Sequence, residues 1–401
     1  MHHPFMKKNL GAILLVIVIT GCATAPYTGR SQLIFVSESQ ETSLGEDAYG
    51  QILRDSVITH DGNAERIVRR VGERIARVAD KPGYRWEFTT INDPETANAF
   101  AVPGGKVAVY TGIFEPARDE TGLAVVLGHE VAHALARHPA ERMSQGLLMQ
   151  LGGAGLSVLM GDNPAMANQV LQAYGVIVAL PFSRSQETEA DRIGLILMAK
   201  AGYDPRVAIE LWQRMEKQDG GQGAPPEFLS THPSYETRIQ QLRSFMPEAL
   251  AYYRPSGTRA ELLPSAAALD TAAAKAEREL LRRVAAVNRF VEEQNGEPVF
   301  VVALGRELNI NPRVIVQERQ QLRMGYGQYA ALRGVALLGH SSLNQIAKDY
   351  QGGRSWSEIA ANHGSRINLL TAWFGDLIYT TNNVGRQLQS QQARPGLRLR
   401  P

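Results

Sequence analysis

Two histidines four residues apart, His129 and His133, stand with Glu130 inside an apolar helical repeat, and no other feature limits the fold as strongly. Within Thr121 to His138, Leu123, Val126, Leu127, Val131 and Leu135 recur at helical spacing. Four residues make one turn plus about forty degrees, so both imidazoles leave the helix on one face and can grip one ion. Two neutral imidazoles and a carboxylate suit a borderline ion with an open fourth position, so zinc, one per chain, is the expected metal. Glu130 cannot easily reach the same coordination site, which leaves it free to take a proton from water that the metal activates. The plainer alternative is a structural helix that happens to carry two histidines.

A third ligand is still needed. His138 is the tempting neighbour, but Ala136 and Pro139 stand where a metzincin has its Gly and His, so that class is excluded. Just before Pro139, His138 is expected to cap the carboxyl end of the helix. The better candidate lies in Ser183 to Gly194, where Ser183 and Gln186 form a capping box and Gly202 closes a helix of about five turns. Glu187 and Asp191 share a face of that helix. Glu187 can ligate the metal, while Asp191 accepts the free ring N–H of a ligand histidine. A solvated acidic first turn is the alternative, and Glu189, off that face, belongs to it.

The rest of the chain supplies organisation. At 401 residues it exceeds what one core usually organises, and 44% hydrophobic with 20% charged residues is ordinary for a globular protein. A net charge of +2 argues for no bulk polyanion partner. Lys7 and Lys8 followed by the apolar run from Leu10 to Thr20 read as a signal peptide over residues 1–21, too short to span a bilayer comfortably. The only cysteine, Cys22, follows it directly, and Ile19-Thr20-Gly21-Cys22 resembles the bacterial lipobox, which implies acylation of Cys22. The expected address is therefore the bacterial cell envelope, lipid-anchored at the periplasmic face of the outer membrane. Residues 22–35 read as a tether, 36–250 as one domain, and 251–265 as a linker. Residues 266–385 read as a second, smaller helical domain of unknown role, and 386–401 as a disordered tail. The fold class is mainly α (α+β): Arg85 to Ile91 and Lys106 to Thr111 alone read as strands, paired as a hairpin through Pro103-Gly104-Gly105.

At this point the chain resembles a known family. His-Glu-x-x-His followed by Ser-Arg-x-x-Glu-x-x-Ala-Asp is similar to the HtpX and CAAX prenyl protease family, peptidase family M48, whose lipid-anchored periplasmic branch includes BepA and LoiP. The resemblance implies a zincin-like metalloprotease domain with a small sheet. It assigns zinc to His129, His133 and Glu187, and the catalytic base to Glu130. Asn98 to Gly105 resembles the family's segment before the active-site edge strand, and Ser230 to Ile239 its Thr-His-Pro…Arg-Ile box. The match spans about Val36 to Leu242. The repeats of BepA and the membrane spans of HtpX are not found.

The implied activity is zinc-dependent hydrolysis of peptide bonds in unfolded or misassembled envelope proteins, as quality control. The strand bearing Lys106, Val107, Ala108 and Val109 would offer an edge for extended substrate. His232 is placed near the metal, either stabilising the transition state or blocking the site, and Arg238 is expected to anchor its loop to a carboxylate. The apolar stretches Leu147 to Met160 and Val170 to Phe182 are expected to be buried or lid helices. Export argues against a nucleic-acid partner. The alternative function is a chaperone or assembly factor with an auto-inhibited zinc site.

Overall fold

The computed structural model describes residues 22–145, 182–219, 232, 237–255, 257 and 259–392, and the chain divides into two units between Leu269 and Asp270, with Arg54–Val57 counted in the second. The expected signal peptide, both apolar lid stretches up to residue 181, and residues 393–401 of the expected tail lie outside the described residues. The first unit is mainly helical, as the sequence leads one to expect, with a two-stranded hairpin and one three-stranded sheet.

Strands β1 (Cys22–Thr24) and β2 (Ser31–Leu33) form an antiparallel hairpin, followed by helices α1 (Glu38–Arg54) and α2 (Gly62–Ala79). Asp61 starts α2 by accepting from the Ala64 amide at 2.8 Å. Ile67, Val68, Val71 and Ile75 then fall on one buried stripe. Helix α3 (Glu120–Leu135) is capped by Asp119, which accepts from the amides of Thr121 and Gly122. From Gly122 to Leu135 every residue is buried, so this helix is packed on all sides. Helix α4 (Arg184–Lys200) opens with the expected Ser183–Gln186 capping box. It crosses α3, and α5 (Val207–Asp219) and α6 (Arg238–Tyr252) complete the shell.

The sheet departs from the expected hairpin. Strands β3 (Glu87–Ile91) and β5 (Lys106–Tyr110) run parallel, and an additional strand, β4 (Ala99–Val102), pairs antiparallel with β5. The order is β3-β5-β4, and the Pro103–Gly105 turn joins β4 to β5. Lys106, Val107, Ala108 and Val109 therefore lie in the central strand, with neighbours on both sides. They cannot offer the free edge expected of them. β3 and β4 take the outer positions instead; the apolar run of β4, Ala99 to Val102, shows no alternation to mark it as a strand.

Residues 22–35 are not a slack tether. Ala25 and Ile34 are buried, and Gln32 donates to the Ala136 carbonyl at 2.5 Å. Polar side chains that looked solvated have partners in the core. Likewise the stretch 251–265 is packed in the first unit: Leu262 bridges Asp119, and Glu261 pairs with Arg70 at 2.6 Å.

The second unit is a set of helices, α7 (Ala272–Glu293), α8 (Glu297–Leu308), α9 (Pro312–Leu322), α10 (Tyr326–Gly339), α11 (Leu343–Gln351), α12 (Trp356–Asn362) and α13 (Ile367–Gln392). Its core gathers Leu280, Phe300, Leu304, Tyr329, Leu332 and Phe374. Buried Glu277 accepts from the Trp356 amide at 2.6 Å, placing a carboxylate at the amino end of α12. Residues 386–392, expected in a disordered tail, continue α13. Among the described residues no helix is long and apolar enough to cross a membrane.

Candidate metal centre

Where α3 crosses α4, His129, His133, Glu187 and His232 converge, with one ligand atom of each within 4.8 Å of the others. All four are buried, as is Glu130 beside them. His129 Nε2 lies 3.1 Å from His133 Nε2 and 3.2 Å from His232 Nδ1. Glu187 sets Oε2 3.4 Å from His129 Nε2, and Oε1 3.4 Å from His133 Nε2 and 2.9 Å from His232 Nδ1. A tetrahedral zinc with Zn–N bonds of about 2.0–2.1 Å holds its nitrogens about 3.3 Å apart, so these spacings suit one ion.

Charge makes the same point. Among the described residues, the buried cluster holds the carboxylates of Glu130, Glu187 and Asp191 against one guanidinium, Arg238. With neutral imidazoles this leaves two negative charges that a divalent cation would balance, in surroundings where unbalanced charge is costly. Among the described residues, Oε1 of Glu130, Oε2 of Glu187 and Oδ2 of Asp191 accept no hydrogen bond. The donor set fits zinc.

The imidazoles are poised by what holds their far nitrogens. His129 Nδ1 lies 3.0 Å from Asp191 Oδ1, so this ring donates there and turns the Nε2 lone pair inward. Arg238, fully buried, donates to the same Asp191 oxygen at 2.7 Å, stands 3.2 Å from Glu187 Oε2, and lies over Trp212 at 3.3 Å. It also reaches the His232 carbonyl at 3.5 Å, which agrees with the expected loop anchor. Trp212, which the sequence does not single out, meets the His129 ring edge-on, and Phe182 covers His133 with centroids 3.9 Å apart.

His138 does not cap the helix. Arg137 takes a left-handed turn, φ 54°, and the chain resumes as helix over residues 138–145, which brings His138 under His133. His138 Nδ1 lies 2.8 Å from His133 Nδ1, and its Nε2 lies 2.9 Å from Glu189 Oε2. The consistent proton placement has His133 donating to His138 and His138 donating to Glu189. Glu189 thus belongs to the site's surroundings and not to a solvated turn.

Burial pushes the Glu130 carboxyl above its ordinary range, against the partial offset of His232 and His129. Burial likewise drives His133 well down, which keeps its ring neutral. At His129 burial acts downward too, but the Asp191 and Glu187 carboxylates outweigh it and raise the ring to about 9. Glu187 feels burial upward, yet His232, His129 and His133 hold it well below the usual carboxylate range. The centre is therefore a ready anionic ligand beside a carboxyl with raised proton affinity.

The pattern of peptidase family M48 matches residues 63–246. The mitochondrial metalloendopeptidase OMA1 of Schizosaccharomyces pombe is 38% identical over 58% of this chain and 69% of its own length. Human OMA1, also mitochondrial, is 33% identical over 61% of this chain and 49% of its own. The β-barrel assembly-enhancing protease of Escherichia coli is 28% identical over 60% and 52%. These relatives correct the expected bacterial outer-membrane address, since those of 33% identity and above are named as mitochondrial. The expected address rests on the local pattern of Lys7 to Cys22 alone.

Proposed function

Because the chain belongs to peptidase family M48 and is a zinc metalloendopeptidase, we propose that it cuts unfolded or misassembled polypeptides in protein quality control, with Glu130 as the base. One observation carries the reading: the buried Glu130 carboxylate, one oxygen of which accepts no hydrogen bond among the described residues, stands beside a His129, His133 and Glu187 set of zinc-ligand spacing. When bound there, zinc supplies Lewis acidity toward water and the scissile carbonyl. Glu130 takes the proton of the attacking water and returns it to the leaving amine, a task its raised proton affinity suits. Asp191 holds the His129 tautomer, while Trp212 and Phe182 exclude bulk water.

Extended substrate pairs along β4. Its outer place in the sheet supports this, as does the closeness of the Ala101 backbone to Glu130. Backbone pairing favours unfolded segments over any one sequence. The assembly-enhancing protease among the relatives supports a quality-control role.

His232 acts as a fourth ligand that holds the resting enzyme off. Its Nδ1 sits 2.9 Å from Glu187, and its Nε2 is 3.4 Å from Glu130 Oε1. That placement also favours the second reading, a chaperone with an idle zinc site. Acylation of Cys22 is a separable proposal supported by Ile19 to Cys22 alone, and intact-mass measurement decides it.

The test is casein cleavage by purified, zinc-loaded protein, with cleavage lost on chelation and in Glu130→Gln. Wild type that binds zinc but cuts no unfolded protein at any pH rejects the peptidase reading. Full complementation of a deletion strain by Glu130→Gln would establish the chaperone instead.

A further inference from the structure

We propose that the amino-terminal hairpin positions the second histidine ligand, through a chain running from Arg30 by way of Glu189 and His138 to His133. The inference rests on the zinc-site reading above.

Arg30 lies just before β2 and cross-links two elements that flank the metal. Its Nη1 and Nη2 donate to the two oxygens of Glu141, at 2.8 and 2.7 Å, on the helical stretch 138–145. Its Nε donates to Glu189 Oε2 on α4 at 2.7 Å. Thr28 donates to the other Glu189 oxygen, and Gln186 donates to Glu141 at 2.9 Å. Glu189 is thereby held with one oxygen facing His138 Nε2, and His138 presents Nδ1 to His133. His138, Glu141 and Glu189 are all buried, where polar groups are retained at a desolvation cost unless each contact is met. Here each step of the chain has a donor and an acceptor.

The consequence is directional. With His133 Nδ1–H engaged, its Nε2 lone pair faces His129 and Glu187, and electron density is drawn toward the ligand nitrogen. His129 obtains the same service directly from Asp191. Among the described residues, His133 meets no carboxylate at Nδ1 and reaches one through His138. Partners of this kind typically change metal affinity by about 10–100-fold when removed. Arg30, Glu189 and His138 are positioning residues, since none is placed in the ligand set.

The experiment measures zinc affinity of the full chain by competition with a chromophoric chelator, with visible absorption of the Co2+-loaded protein and thermal unfolding of the metal-free protein alongside. Arg30→Gln is expected to weaken zinc binding by about tenfold and His138→Leu by about 100-fold, each shifting the Co2+ spectrum and each losing more affinity than its lowered metal-free stability accounts for, since Glu141 and Glu189 lose a partner as well. His138→Gln is expected to recover most of the affinity, because an amide offers an acceptor to His133 and a donor to Glu189. Wild-type affinity and an unchanged Co2+ spectrum in Arg30→Gln would overturn the proposal. So would a His138→Gln variant as weak as His138→Leu with metal-free unfolding lowered in parallel, the mark of a merely structural role. A wild-type chain that binds no zinc rejects the metal site and the relay together, whereas one that binds zinc but cuts nothing rejects only the peptidase reading.

Discussion

Gly128 and Gly194 meet backbone to backbone where α3 crosses α4, so that a Cβ on Gly194 would lie 3.0 Å from both the Gly128 carbonyl carbon and the His129 amide nitrogen. Neither glycine needs a left-handed conformation; both are required by the closeness of the crossing. Gly128 directly precedes the first histidine ligand, and Gly194 lies about two turns after Glu187. The height of this crossing sets how near the carboxylate comes to the two imidazoles.

Gly194→Ala is therefore expected to push the helices apart, costing about 1–3 kcal/mol of stability. Zinc affinity should fall with it. Denaturant unfolding and chelator competition on the same preparation check both, and a variant equal to wild type in each would show that the crossing has slack.

Arg238→Met removes the one guanidinium among three buried carboxylates. The metal-free protein should lose about 3–5 kcal/mol, because the charges of Glu187 and Asp191 are left uncompensated. Arg238→Lys should recover only part of this, since an ammonium cannot present the planar fork that meets Asp191 and lies over Trp212. Equal stability of the Met variant and wild type would contradict the account.

Glu41 is fully buried, and burial raises its carboxyl from the ordinary 4.5 to about 7 despite the hydrogen bond from Arg137. The folded state then binds a proton more tightly than the unfolded one. Its contribution to stability is fully present below about pH 4.5 and is lost as pH rises through about 7, by on the order of 3 kcal/mol. Glu41→Gln should flatten that part of the stability profile. Urea unfolding of both proteins across this range checks it, and parallel profiles would refute the assignment.

His232→Ala is expected to raise turnover of unfolded casein several-fold, with zinc still held by His129, His133 and Glu187. Steady-state rates at matched zinc occupancy decide the matter. A fall in kcat of about a hundredfold would instead mark His232 as a stabiliser of the transition state.

The metal helix, its two imidazoles and the crossing helix with Glu187 and Asp191 were legible in the chain because local rules govern them. Helical period places His129 beside His133 and Glu187 beside Asp191, and capping residues mark where Ser183 begins its helix. The sheet was less legible. Ala99 to Val102 carries no alternation to mark β4 as a strand, and the central place of β5 depends on pairing with both β3 and β4, which no local pattern specifies.

Local pattern thus determined the element types, the zinc motif and the pairing of ligand with helper carboxylate. Tertiary structure decided that His138 and Glu189 line up behind His133, that Arg30 joins them, and that β4 takes an outer place in the sheet. The reason is range: an i to i+4 relation is written into backbone geometry. The hydrogen bond from Arg30 to Glu189 spans 159 residues and exists only once Arg137 reverses the chain and the two helices have packed.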